Sequence, residues 1–143
     1  MEEGDSLTAK EYLNQARTLD IEINTKLEEL HQLKQKACCV QSVVISERVQ
    51  SSNTNSSNKI IDKIVDLQNE IKAEIDKLVD LKAEIRHKIS KVNYTMLRVV
   101  LTEYYLNLKT WASIAEKYGY TERNIHYLHS CALKEFNKVA SFQ

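Results

Sequence analysis

Between Trp111 and Ser130 the chain reads WASIAEKYGYTERNIHYLHS, and the polar residues here suit the reading of duplex DNA. Arg123 can give two parallel hydrogen bonds to guanine or hold a phosphate. Thr121, Glu122, His126, Tyr127 and Ser130 fall on the same outward side of a short helix, where side chains meet base edges and phosphates. Asn124 lies more to the side and suits a phosphate contact. Lys109, Thr110 and Lys117 sit at the ends of the preceding helix and are candidates for backbone phosphates.

These residues need two helices and a tight turn to position them. The segment WASIAEKY forms the first helix, with small Ala115 where a second helix crosses closely. Gly119 stands where the chain leaves that helix, and a left-handed backbone is cheapest without a Cβ. Thr110 caps the first helix and Thr121 the second. Tyr120 and Ile125 have the spacing of a hydrophobic staple. Ile125 and Leu128 turn inward toward Ile114 and Tyr118. This is the pattern of a helix-turn-helix, with a recognition helix over about 121–137.

Other chemistry finds little support. No Gly-rich phosphate loop, nucleophile–base pair or acid cluster in a cleft is discernible, so no catalytic residue and no cofactor is expected, and the chain does not read as an enzyme. His126 and His129 have helical spacing, but nothing completes a metal set around them, so no metal site is expected. Cys38, Cys39 and Cys131 form neither a disulfide framework nor a metal pattern and suit a reducing cytoplasm.

The 143 residues contain no proline and two glycines, Gly4 and Gly119. A sheet protein needs turn residues that are missing here, which points to an all-α fold. No apolar run has the length of a membrane span, and no membrane partner is expected. The formal net charge is zero. From Asn93 onward six basic residues face four acidic ones, a net +2, and the remainder carries −2. DNA affinity rests largely on neutralised phosphates, so such a module needs a second copy or a larger complex to hold it on DNA.

Two long helices precede the module. The first opens at Thr8 with the reciprocal capping box Thr8-Ala9-Lys10-Glu11, and Leu7 with Tyr12 fits a staple. Ala16, Leu19, Ile23, Leu27, Leu30, Leu33, Ala37 and Val40 form its apolar stripe, with Arg17 on the opposite, polar side. The run QSSNTNSSN, residues 50–58, reads as a flexible connector. The second helix then runs from Ser57 or Asn58 to about Val92. Ile64, Ile71, Leu78, Ile85 and Val92 repeat every seven residues, and a second row is interrupted by Gln68 and Lys82. The connector permits a long antiparallel hairpin, a coiled coil over 1–92, followed by a small helix-turn-helix domain over 93–143. Surplus apolar surface on the second helix suggests that two hairpins associate as a homodimer. Asn93 is a candidate cap for the next helix, although an unbroken helix through this point also fits the heptads.

Three strings, AKEYLNQARTLDIEINTKLEEL, IVDLQNEIKAEIDKLVDLKAEI and TWASIAEKYGYTERNIHYLHSCALKEF, resemble a family of small proteins of unknown function from phages and prophages of Gram-positive bacteria. Its C-terminus resembles the region-four helix-turn-helix of sigma factors, and the DNA module is similar to phage late-gene transcription regulators. The resemblance implies transcriptional control of phage genes in the cytoplasm of a bacterial host, with double-stranded DNA as ligand and RNA polymerase as a candidate partner. It gives Thr121, Glu122, Arg123, His126 and Tyr127 the DNA role. The recognition helix departs from that pattern in carrying fewer basic residues. Two alternatives stand beside it: an adaptor whose hairpin binds a host or phage protein, and a DNA-recognition subunit of phage packaging machinery.

Overall fold

The computed structural model describes residues 8–46 and 52–140. Among them the chain is all-α: α1 (Ala9–Ser46), α2 (Ser52–Ile89), α3 (Thr95–Leu101), a π-helical turn (Thr102–Leu106), α4 (Trp111–Tyr118) and α5 (Glu122–Val139). No helix among the described residues is long and apolar enough to cross a membrane. By its contacts the chain forms two compact units, residues 20–77 and residues 8–19 with 78–140.

In the unit of residues 20–77, α1 and α2 run antiparallel. Lys26 bonds Glu70 at 2.8 Å and also Glu74, whereas Gln32, Gln35, Lys36 and Cys39 line a groove with Ile60, earlier in α2. The hydrogen bonds it donates to Glu70 and then Glu74 hold the Lys26 ammonium well above the usual lysine range. Ile23, Leu30 and Ile71 are buried between the helices. Leu27, placed on the inner stripe by the spacing, is instead exposed. A narrow two-helix seam has room for one residue per turn, so its neighbour on the wheel points outward.

The QSSNTNSSN run is corrected in part. Residues 52–58 belong to the first turns of α2 rather than to a flexible connector, and residues 50–51 lie outside the described residues. Serine and asparagine disfavour helix by only tenths of a kcal/mol each, and extending a formed helix needs no new nucleus.

In the other unit, the capping box at the start of α1 is present in both directions. The Thr8 amide donates to Glu11 at 3.1 Å, and the Glu11 amide to Thr8 Oγ1 at 3.3 Å. Leu7 lies outside the described residues. Helix α2 stops at Ile89 and the chain breaks before α3, so the unbroken helix is not formed. The cap position of α3 is Tyr94, not Asn93, and it makes no side-chain hydrogen bond. The Arg98 guanidinium secures the break instead, donating to the Val92 carbonyl at 2.5 Å and to Thr95 Oγ1 at 3.1 Å.

The boundary expected at Val92 falls inside this unit. Tyr12 stacks on Phe136 with ring centroids 6.2 Å apart. Arg17, expected to be solvated, is half-buried; it donates to the Tyr104 carbonyl at 2.6 Å with its guanidinium 4.0 Å from that residue's ring centre. Leu13, Ile85, Leu101, Tyr105, Ile114, Ile125 and Phe136 are all fully buried.

Candidate nucleic-acid interface

The turn between α4 and α5 has the local geometry expected of it. Thr110 Oγ1 accepts from the Ser113 amide and Thr121 Oγ1 from the Asn124 amide, each at 3.1 Å. Gly119 adopts φ 74°, ψ 29°, and the Tyr120 amide reaches back to the Ala115 carbonyl at 2.9 Å. That six-residue ring closes the helix end in the manner of a Schellman motif. A Cβ on Gly119 would meet nothing within 4 Å, so the requirement for glycine is one of backbone conformation alone. Gly119→Ala is therefore expected to cost about 1–2 kcal/mol, the left-handed penalty for a residue bearing a Cβ. A shift of the urea midpoint at unchanged m-value measures it; no shift means that the turn can relax into another form.

Beneath the turn, Val100, Ile114, Ala115 and Ile125 form a buried cluster, flanked by Met96, Tyr104, Trp111, Tyr118 and Leu128. Ile125 and Leu128 thus face Ile114 and Tyr118 as their spacing implied. Tyr120 is exposed and forms no part of this cluster.

The seven candidates of α5 and its cap, Thr121, Glu122, Arg123, Asn124, His126, Tyr127 and Ser130, are exposed. They do not form one surface. At 100° per residue, Arg123, His126, Tyr127 and Ser130 share an arc of about 100°, with Glu122 at its rim. Thr121 is committed to its cap, and Asn124 lies on the far side of the arc. Lys134 continues the arc and is exposed; spacing alone could have found it, being eleven residues after Arg123. The Glu122 carboxylate lies 3.8 Å from His126 Nε2. Tyr127 is the most exposed aromatic residue of the face, and the Cys131 thiol beside it holds its hydroxyl above the ordinary phenol range.

The three candidates outside α5 behave differently from one another. Lys109 and Thr110 are exposed in the link before α4, with the Thr110 hydroxyl engaged as a cap. Lys117 is drawn into an ion pair with buried Glu103 at 3.1 Å, which raises its ammonium pKa and removes it from the pool of unengaged cations. Glu103 also accepts from Asn107 at 2.7 Å. Burial pushes its carboxyl up, but the bonds from Asn107 and Lys117 and the nearby charges of Lys117 and Lys109 outweigh this and hold it below the usual range.

A stacked column behind α5 joins the buried aromatics to the exposed face. The Trp111 ring lies 3.7 Å from that of Tyr104 at 10°, and 4.5 and 5.1 Å from those of His129 and His126. The Tyr105 hydroxyl is 2.7 Å from His129 Nε2. Burial keeps Tyr105 a phenol, a group that can donate to the imidazole or accept from it. No group of three metal-ligating side chains occurs among the described residues. The column was not visible in the spacing, because its members come from residues 17, 104, 105, 111, 126 and 129 and meet only in the folded unit. In comparison with known proteins, no family model, no curated protein and no solved structure matches the chain.

Proposed function

We propose that this chain is a DNA-binding transcriptional regulator of phage or prophage genes, with α5 entering the major groove. The observation that carries the reading is the outward arc of Arg123, His126, Tyr127, Ser130 and Lys134, held on a capped, rigidly turned helix pair. Arg123 reads a base or grips a phosphate, Tyr127 and Ser130 offer hydroxyls, and Lys134 adds a phosphate contact. Lys109 and Thr110 serve the neighbouring backbone. The sigma region-four likeness of the C-terminal string supports promoter DNA as the target and RNA polymerase as a companion. The cytoplasm of a bacterial host is the setting this implies.

The charge of the module supports a second anchor. With Lys117 neutralised by Glu103, few cations remain for phosphates, and binding by one copy alone is weak. A second copy or a protein partner supplies the rest. That same observation favours the adaptor as the second reading, in which the long helices bind a protein and the helix pair is a packing unit.

Fluorescence anisotropy on promoter fragments of a phage genome, repeated over a range of salt, tests the proposal. Arg123→Ala is expected to weaken binding by about 1–3 kcal/mol; a flatter salt dependence would assign it to a phosphate and relaxed base preference to a base. Unchanged affinity and salt slope would rule out α5 as the reading element. Salt-insensitive pull-down of a protein with no DNA binding would establish the adaptor.

A further inference from the structure

Helix α2 carries an outward stripe that its own hairpin leaves open. Within the unit of residues 20–77, Ile61, Val65 and Ile75 are 42%, 46% and 38% exposed, although each is a large aliphatic residue. At 100° per residue they fall within about 80° of arc, with Gln68 and Lys72 between them. The row that faces α1, Ile64 and Ile71, lies to one side. On the other side Asp62 and Asp76, both exposed, border the stripe. Asp66 stands just behind them, also exposed.

The charges decide what covers this stripe. A second copy in parallel register would set Lys72 against Lys72 in the seam. A second copy in antiparallel register that matched Val65 with Ile75 would bring Asp62 beside Asp76. Both self-pairings place like charges together while burying the same apolar residues, an arrangement that selects against a homomeric partner. A helix with an apolar stripe and lysine or arginine along one edge meets neither obstacle.

We infer that the outer face of α2 is a docking surface for a basic-edged amphipathic helix of another protein, seated on Ile61, Val65 and Ile75 with its cations opposite Asp62 and Asp76. This goes beyond the DNA reading and does not depend on it. Two designed helical peptides of about 20 residues, long enough to hold a helix on docking, serve as probes. They share one leucine stripe, and one is edged with lysine, the other with glutamate. Titrated into the full-length chain, the lysine-edged probe is expected to bind at least about tenfold more tightly. Val65→Ser with Ile75→Ser leaves every charge in place and is expected to lower that affinity about tenfold. Asp62→Asn with Asp76→Asn is expected to bring the two probes together. All four positions are exposed, so helical content by circular dichroism is expected to match the parent. Equal binding of both probes, or affinity that survives loss of Val65 and Ile75, would overturn the assignment. So would a sedimenting dimer that the Val65 and Ile75 changes dissociate, because a second copy would then be the occupant.

Discussion

Phe136→Ala is expected to destabilise the unit that holds the C-terminal helices by about 3–5 kcal/mol, the range for truncating a fully buried aromatic ring. Phe136 is 0% exposed and lies against Tyr12 at 26° between ring planes. Tyr12 is itself tied down: its hydroxyl donates to Glu84 at 2.6 Å, and the Lys88 ammonium stands 4.3 Å from its ring centre. A partner fixed in this way cannot slide into the space a lost ring leaves, so the cavity term is retained in full. The loss is of the order of a whole domain's stability. Urea unfolding followed by tyrosine and tryptophan fluorescence is the measurement, and Phe136→Leu should recover most of the difference. A loss below about 1 kcal/mol would mean that the last turns of α5 contribute little to this unit.

The second large effect is a dependence on acid that comes from His129. Burial, and after it the nearby charges of Lys10 and His126, pull this imidazole down to about 4 from its ordinary 6.5. The folded chain therefore binds fewer protons than the unfolded one between those values. Stability is complete above pH 6.5 and falls as the pH drops toward 4, where the folded state also takes up its proton. Each pH unit of such linkage is worth about 1.4 kcal/mol. The ring is only part-buried and solvent screens some of this, so a total loss of roughly 2 kcal/mol is expected. Protonation also makes both ring nitrogens donors, so the Tyr105 hydroxyl must then accept from Nε2 and a charge is placed in a part-buried site. His129→Gln keeps an acceptor and cannot titrate here. Denaturation midpoints at pH 7 and 4.5 should therefore differ much less in that variant than in the parent. Equal acid lability in both would place its origin at another group. Glu103, whose carboxyl is held below the usual range, does not confuse the comparison, because parent and variant both carry it and it adds the same acid sensitivity to each.

What could be read in the residues was whatever depends on near neighbours along the chain. Thr8, Thr110 and Thr121 bond amides three residues ahead, and Gly119 answers a requirement of its own backbone; all four were legible for that reason. The heptad row through Ile71, Leu78, Ile85 and Val92 was legible too, since burial follows its period. The groups that escaped are those whose partners lie far away in sequence. Arg17 looked like a surface cation until Tyr104 came to meet it, and Lys117 looked like a phosphate ligand until Glu103 claimed it. Ser52–Asn58 misled for another reason, because composition speaks of preference and not of what an adjoining helix imposes.

The five-residue turn Thr102–Leu106 has a bearing on how this chain tolerates changes in length. Its wide ring, closed by the Asn107 amide on the Thr102 carbonyl at 3.0 Å, holds one residue more than an α-helical turn of the same span. Deleting a residue there would let ordinary helix run through. The positions downstream would keep close to their present faces, because the turn that is lost is the one that held the extra residue. Insertions and deletions in surface links are usually absorbed; at this bend, although it lies within a helix, a single codon could be lost with the C-terminal module still held in its present direction.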